Sequence, residues 1–242
     1  MNAPMLSVAN LSASYGVAQI LYGLNLEVWR GEVLALMGRN GAGKTTTMKA
    51  IMGLVAHRGG VVQFNGTDIS RLQPYEIARL GLGFTPEDRR IFSDLTVLEN
   101  LDIGRQPARS FSDGTPAPVW NEARLLSLFS SLGEMPDRLG GRMSGGEQQM
   151  LTVARTLMGN PLLILLDEPS EGVAPVIVDQ MVATILELKR AGVSILLSEQ
   201  NVHFAELVSD RVYVLEKGQV QWSGVMADLA GNVEVQRAYL TV

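Results

Sequence analysis

The chain has no cysteine, which removes disulfides, thiolate metal centres and thiol nucleophiles together. Its two histidines, His57 and His203, are too few for a histidine-built metal site. Long hydrophobic runs are missing as well. A membrane-spanning helix needs roughly 20 mostly apolar residues, and the longest apolar runs, such as 162–166, fall far short. Work at a membrane would therefore go through a partner. Basic charge is scarce: 20 Lys and Arg against 25 Asp and Glu leave a net charge of -5. That argues against non-specific nucleic-acid binding, which rests on paired phosphate contacts, so no nucleic-acid partner is expected. Residues 1–10 show neither the basic start nor the apolar stretch of a secretory signal, and none is expected.

What is present is an ordinary folded composition, 46% hydrophobic and 19% charged over 242 residues. That suffices for one large domain or two small ones, and disorder is not a main theme. The first 30 or so residues read as strands, with Leu24, Leu26 and Val28 alternating against polar neighbours. Residues 33–37 form a short continuous apolar run, the pattern of a strand buried on both faces. A helix over 44–54 follows a glycine-rich segment, then a strand over 61–64 closed by the turn pair Asn65–Gly66. From about 88 to 160 helical patterns dominate, interrupted by a Pro-, Ser- and Gly-rich loop around 105–118. This reads as an inserted helical subdomain. Ser144 with Glu147 has the form of a capping box opening a helix through Met158. Buried strands over 162–166 and 194–197 flank a helix over 175–191, and a hairpin over 212–222 turns at Lys217–Gly218. Alternating strands and helices with a helical insertion imply an α/β fold with a mostly parallel sheet.

Gly38-Arg-Asn40-Gly41-Ala42-Gly43-Lys44-Thr45 lies between a predicted strand and a predicted helix. In that context the pattern is a phosphate-binding loop. Its glycines let successive backbone N–H groups converge on one anion, reinforced by the helix N-terminus. Lys44, expected to face solvent within this cradle, would reach the β- and γ-phosphates, and the Thr45 hydroxyl would ligate Mg²⁺. Thr46 completes the set. The loop says nucleotide and leaves the reaction open.

The apolar strand 162–166 runs directly into Asp167 and Glu168, delivering two carboxylates where open α/β sheets bind ligands. Asp167 would hold Mg²⁺, and Glu168 would orient or activate the attacking water. About 23 residues upstream, Met143-Ser144-Gly145-Gly146-Glu147-Gln148 makes a second anion nest at a helix start. A capped helix after a glycine-rich turn is the blander reading, yet one γ-phosphate does not need two nests in one chain.

Together these motifs resemble the ABC ATPases, and the resemblance covers nearly the whole chain. It implies a single nucleotide-binding domain with a RecA-like phosphate-loop core over about 1–87 and 157–242. Antiparallel strands would sit at its amino-terminal end and a helical subdomain over about 88–156. It implies ATP with Mg²⁺ as cofactors, and head-to-tail pairing with a second such ATPase. Ser144, Gly145 and Gly146 would then contact ATP held by the partner. Tyr15, in Ser-Tyr-Gly, is similar to the aromatic residue that stacks on adenine. Glu87 falls where the family usually carries a Gln linking Mg²⁺ to the transporter, and Gln200 lies where many members carry a switch His. Ala174 replaces the usual Asp before Pro175. Those departures, with Pro-Glu-x-Arg-Arg-x-Phe and Glu-Gln-Asn, resemble branched-chain amino acid importer ATPases of the LivF type. Ser170-Glu-Gly leans slightly toward the related urea and amide importers. The implied assembly has two transmembrane permeases and a periplasmic binding protein, with this subunit peripheral on the cytoplasmic face of a bacterial inner membrane. The run containing Arg89, Arg90, Ile91 and Phe92 is a candidate membrane-partner patch.

Overall fold

A computed structural model describes residues 3–240. Its strands are β1 (Leu6–Tyr15), β2 (Ala18–Val28), β3 (Val33–Met37), β4 (His57–Phe64), β5 (Thr67–Asp68), β6 (Leu82–Thr85), β7 (Leu163–Asp167), β8 (Ser194–Glu199), β9 (Arg211–Glu216) and β10 (Gln219–Val225). Its helices are α1 (Lys44–Ile51), α2 (Pro74–Arg79), α3 (Val97–Gly104), α4 (Glu122–Leu128), α5 (Ser130–Gly133), α6 (Gly145–Met158), α7 (Pro175–Arg190), α8 (Val202–Val208), α9 (Met226–Gly231) and α10 (Val233–Tyr239).

Two sheets divide the strands. An antiparallel sheet has the order β2-β1-β4-β5, and a six-stranded sheet has the order β10-β9-β3-β8-β7-β6. In the second sheet β9, β3, β8, β7 and β6 pair in parallel and only β10 is antiparallel. The sequence dictates this difference. β3, β7 and β8 are buried along their whole length, whereas β1 and β2 alternate buried and exposed positions. Parallel strands covered on both faces need continuous apolar runs, and one-sided antiparallel strands need alternation.

The parallel order puts the carboxyl ends of β3, β7 and β8 side by side, with Asp167 opposite Ser198 and Met37 opposite Glu199. The loops that leave those ends form the site. α1 follows β3 directly and buries Met48, Ala50 and Ile51 beneath the loop. Gly38 cannot carry a side chain: its φ is +150° and an added Cβ would run into the Leu215 carbonyl oxygen.

α6 starts at a complete capping box, in which Ser144 Oγ accepts from Glu147 N and Glu147 Oε2 accepts from Ser144 N. Its inner face joins α3, α4, α5 and α7 in a second core cluster around Leu151, Leu157 and Trp120. The loop over 105–118 is well anchored. Phe111 and Ala117 are buried in the core cluster of the first sheet, Arg30 lies 3.5 Å over the Phe111 ring, and Arg30 pairs with Asp113 at 3.0 Å. This segment ties the helical part to the amino-terminal sheet. Among the described residues no helix is long and apolar enough to cross a membrane.

Candidate functional site

A cavity of about 460 Å³ opens at the carboxyl edge of the parallel sheet. Asn40, Gly41, Gly43, Lys44, Thr45, Thr46, Glu87 and Glu168 line it, together with Ile20 and Glu171. Most of the cradle and the strand-end carboxylate thus converge on one space. Gly38 and Ala42 lie in the same loop and are buried beneath it.

Lys44 does not face solvent as expected. It is only 3% exposed; its Nζ donates to the Gly38 carbonyl at 2.8 Å and pairs with Glu168 Oε1 at 3.0 Å. The loop wraps so closely on α1 that the stem is covered, and the ammonium reaches its charged partner across the site. Glu168 is itself 6% exposed. Its backbone is left-handed, with φ 46°, a conformation that costs of order 1–3 kcal/mol outside glycine and collects at functional positions.

Asp167 is the last residue of β7, and its Oδ1 accepts from Thr45 Oγ1 at 3.0 Å and from Ser198 Oγ at 2.6 Å. Its Oδ2 is buried and has no hydrogen-bond partner. Burial pushes the Asp167 carboxyl up from the usual carboxylate range, against the pull of those two hydroxyls. A buried, unpaired carboxylate oxygen beside a threonine hydroxyl is a fitting donor set for Mg²⁺, which takes few protein oxygens and completes its shell from water and phosphate. Among the described residues there is no cluster of three or more His, Cys, Asp or Glu able to hold a metal by themselves.

The electrostatics separate the carboxylates. Burial works to raise Glu168, but the hydrogen bond with Glu171 and the Lys44 charge outweigh it and hold Glu168 low. Glu171 goes the other way, pushed up to about 7 by its hydrogen bond with Glu168, then by burial and the charges of Glu168, Glu87 and Glu199. Gln200 stands between them, donating from Nε2 to Glu168 Oε2 at 3.2 Å and to Glu171 Oε2 at 3.4 Å. Behind them Glu199, 1% exposed, accepts from the backbone of Ser170, Gln200 and Asn201 and so holds the two loops together. The sequence motifs Ser170-Glu-Gly and Glu-Gln-Asn contain Glu171 and Glu199 but gave them no role at the site, and Ser198 was given none either. Ser198 had one available signal: it sits directly beyond the apolar run 194–197.

Other expected residues lie outside this cavity. Ser144, Gly145 and Gly146 open α6 and are not part of its lining. Gly146 is packed so tightly on α7 that an added Cβ would come within 2.5 Å of Ile177 Cγ1. Tyr15 ends β1, is 49% exposed and also lies off the lining. Ala174 precedes α7 without a side-chain cap. Arg89 and Arg90 both have positive φ, and of the patch they begin, Phe92 is 47% exposed whereas Ile91 packs into the helical core.

Known proteins match this architecture. Residues 21–171, more than half of the chain, match the family described as ABC transporter. A Pseudomonas aeruginosa protein described as a high-affinity branched-chain amino acid transport ATP-binding protein, BraG, is 41% identical over 98% of this chain and 99% of its own. A Haemophilus influenzae lipopolysaccharide export system ATP-binding protein, LptB, is 34% identical over 98% of this chain and 97% of its own. A solved structure described as MJ1267, an ATP-binding cassette of an ABC transporter, superposes with a TM-score of 0.80 at 28% identity, covering 98% of each chain. Members of this family bind ATP, dimerise and work with permease subunits. The chain belongs to the ABC transporter family as an ATP-binding subunit, an ATPase whose turnover is coupled to transport.

Proposed function

We propose that the chain drives an importer of branched-chain amino acids from the cytoplasmic face of a bacterial inner membrane. It would pair there with a second ATPase and two permeases, served by a periplasmic binding protein. The observation that supports this reading most is the 41% identity to BraG, sustained over 98% of this chain against 34% for the lipopolysaccharide export relative.

In this reading the loop amides between Gly38 and Thr45 cradle the phosphates, and Tyr15 stacks on the adenine. Lys44 exchanges its ion pair with Glu168 for the γ-phosphate. That exchange frees Glu168 to take a proton from the attacking water. Thr45 and Asp167 would hold Mg²⁺, with Glu87 also on the cavity lining, and the cation would neutralise charge on the phosphates. The partner's copy of the Ser144–Gly146 turn closes the site from outside. Charge repulsion within the carboxylate cluster is offset by the Glu168–Glu171 hydrogen bond and by Lys44, so ATP arrival, by drawing Lys44 away, redistributes the electrostatics of the cavity.

For the permease contact we propose the groove of about 450 Å³ bounded by Tyr75, Arg79, Phe84, Ile103 and Arg155. Tyr75 and Ile103 are exposed apolar side chains there. Arg155 extends the groove to the Arg90–Phe92 patch, donating to the Arg90 carbonyl at 2.7 Å and lying 5.1 Å over the Phe92 ring. Apolar anchors with arginines around them suit a helix or loop of a membrane partner. Phe92→Ala with Arg90→Glu is expected to uncouple ATP turnover from transport without changing ATP affinity. Unaltered assembly and transport would place the contact elsewhere.

The deciding experiment co-purifies the complex, reconstitutes it in vesicles and measures ATP-driven uptake. Uptake of leucine, isoleucine and valine, abolished by Glu168→Gln, is the expected outcome. Uptake of urea or an amide would reassign the substrate. ATP-driven movement of lipid in the opposite direction would overturn import.

A further inference from the structure

Gln200 has one amide group with two N–H donors and one carbonyl acceptor. Both neighbours of its Nε2 are carboxylates, Glu168 at 3.2 Å and Glu171 at 3.4 Å. A carboxylate offers only acceptors, and even a protonated one keeps an acceptor oxygen, so the orientation of this amide follows from its surroundings. With the nitrogen held between two carboxylates, the donors of Gln200 are spent. What the side chain still offers is its carbonyl oxygen.

Glu171 makes the difference. Its backbone N–H donates to the Glu168 carbonyl at 3.1 Å, which folds the loop back over the end of β7, and its side chain lines the nucleotide cavity beside Lys44, Thr45 and Glu87. With Glu168 alone, one amide hydrogen of Gln200 would stay available for a phosphate oxygen. With Glu171 also present, the second hydrogen is taken.

We propose that Glu171 is a positioning residue for ATP hydrolysis: by bridging through Gln200 to Glu168, it commits Gln200 to accept from the attacking water rather than donate to the γ-phosphate. Two acceptors, Glu168 and the Gln200 carbonyl, then fix both hydrogens of that water. As its oxygen bonds to the γ-phosphorus, Glu168 receives the proton and the bond from that phosphorus to the bridging oxygen breaks, so that ADP leaves and phosphate is released. No additional reactant is required. The inference rests on the assignment of Glu168 to the water.

The test measures steady-state ATP turnover in the assembled complex for Glu171→Ala, Glu171→Gln, Gln200→Ala and the Glu171→Ala/Gln200→Ala pair. Glu171 is exposed, so its variants are expected to fold, which circular dichroism and thermal unfolding check. Glu171→Ala is expected to lower kcat about tenfold while KM for ATP stays within about twofold, the pattern of a misplaced rather than a missing reacting group. Glu171→Gln, whose side-chain carbonyl can take the same amide hydrogen, restores most of the rate. In the Gln200→Ala background the Glu171→Ala change has a much smaller effect, the remainder coming from the direct Glu168–Glu171 hydrogen bond. An unchanged kcat in Glu171→Ala overturns the proposal, as does a loss in Glu171→Gln equal to that in Glu171→Ala, or independent losses in the double variant. Glu168→Gln run alongside separates the two readings. Normal turnover there overturns the assignment of Glu168; lost turnover there, with independent losses at Glu171 and Gln200, overturns only the role of Glu171.

Discussion

The phosphate cradle and the Ser144 turn use the same ingredients, glycines ahead of a helix N-terminus, yet they are wired in opposite ways. In the cradle the functional groups already hold one another: Lys44 pairs with Glu168, Thr45 donates to Asp167, and Gln200 spans Glu168 and Glu171. In the turn the Ser144 side chain reaches no farther than Glu147, within its own capping box, and nothing from 144–146 lines the cavity. One region is a set of charged and polar groups already wired to one another around an open cavity. The other is a complete helix cap, none of whose residues lines the cavity of its own chain. Anion nests therefore cannot be told apart by composition; the difference lies in which strand ends stand opposite them.

The largest effect should come from the carboxylate that the cradle keeps in check. Glu168→Gln is expected to bind ATP normally and to lose about 10² to 10⁴ in turnover, the worth of a positioned acid–base group. Single-turnover hydrolysis with radiolabelled ATP reads this directly. Normal turnover would make the cradle no more catalytic than the Ser144 turn, and the contrast between them would collapse.

Lys44→Ala is next, and here the burial of Lys44 changes what should be seen. ATP affinity is expected to fall about 10²-fold, since a charged contact to phosphate is lost. The ATP-free protein should also lose about 1–3 kcal/mol, because Glu168 is left buried without its cation. Isothermal titration and urea unfolding check the two parts. Full stability with lost binding would show that the ion pair between Lys44 and Glu168 is not formed in solution.

For the turn, Ser144→Ala should cost about 1 kcal/mol of stability through the lost cap and leave ATP binding to its own cradle unchanged. Its effect on turnover should appear in the partner's site. Mixing Ser144→Ala with Lys44→Ala subunits in an assembly of two copies of this chain sharpens the contrast, because one composite site then carries both lesions and the other carries neither. Recovered activity is the expected result. Failure to recover any would mean that the turn serves its own cradle.

Much of this contrast was legible in the sequence, and the reason is local. The residues from Gly38 to Thr45, Asp167 with Glu168, and the Ser144–Glu147 box are each contiguous, so pattern alone placed them at a strand end or a helix start. The parallel sheet was legible from the unbroken apolar runs of β3, β7 and β8. What pattern could not reach are contacts made by register. Ser198 meets Asp167 only because β7 and β8 pair with those residues opposite. Glu171 meets Gln200 only because two loops leave adjacent strands. The burial of Lys44 has the same origin, since its covering comes from the fold of the loop onto α1. Phe111 is the case at the periphery: composition marks a loop rich in Pro, Ser and Gly but not its docking, and one aromatic set against Arg30 and the first core anchors it.

The smallest effect tests whether the cradle carries its electrostatic load without nucleotide. Glu171 is held at about 7, first by its hydrogen bond with Glu168, against an ordinary glutamate value near 4.3 in the unfolded chain. Facing it are Glu168, Glu87 and Glu199, with Lys44 as the nearby cation paired to Glu168. A folded pKa above the unfolded one means that the folded state binds the proton more tightly. The contribution is complete below about pH 4, shrinks as pH rises, and is gone once pH has passed through about 7. Thermal unfolding of the nucleotide-free and Mg²⁺-free protein should therefore show Tm falling between pH 5 and 8. Glu171 is exposed and its interaction is screened by solvent, so the part due to it should be no more than about 2 °C. Glu171→Gln should remove that part of the slope, while Ser144→Ala should keep it and merely lower the whole curve. A slope identical in Glu171→Gln and the parent would show that no proton is held at the carboxylate pair, and that the cradle at rest is electrostatically as quiet as the turn.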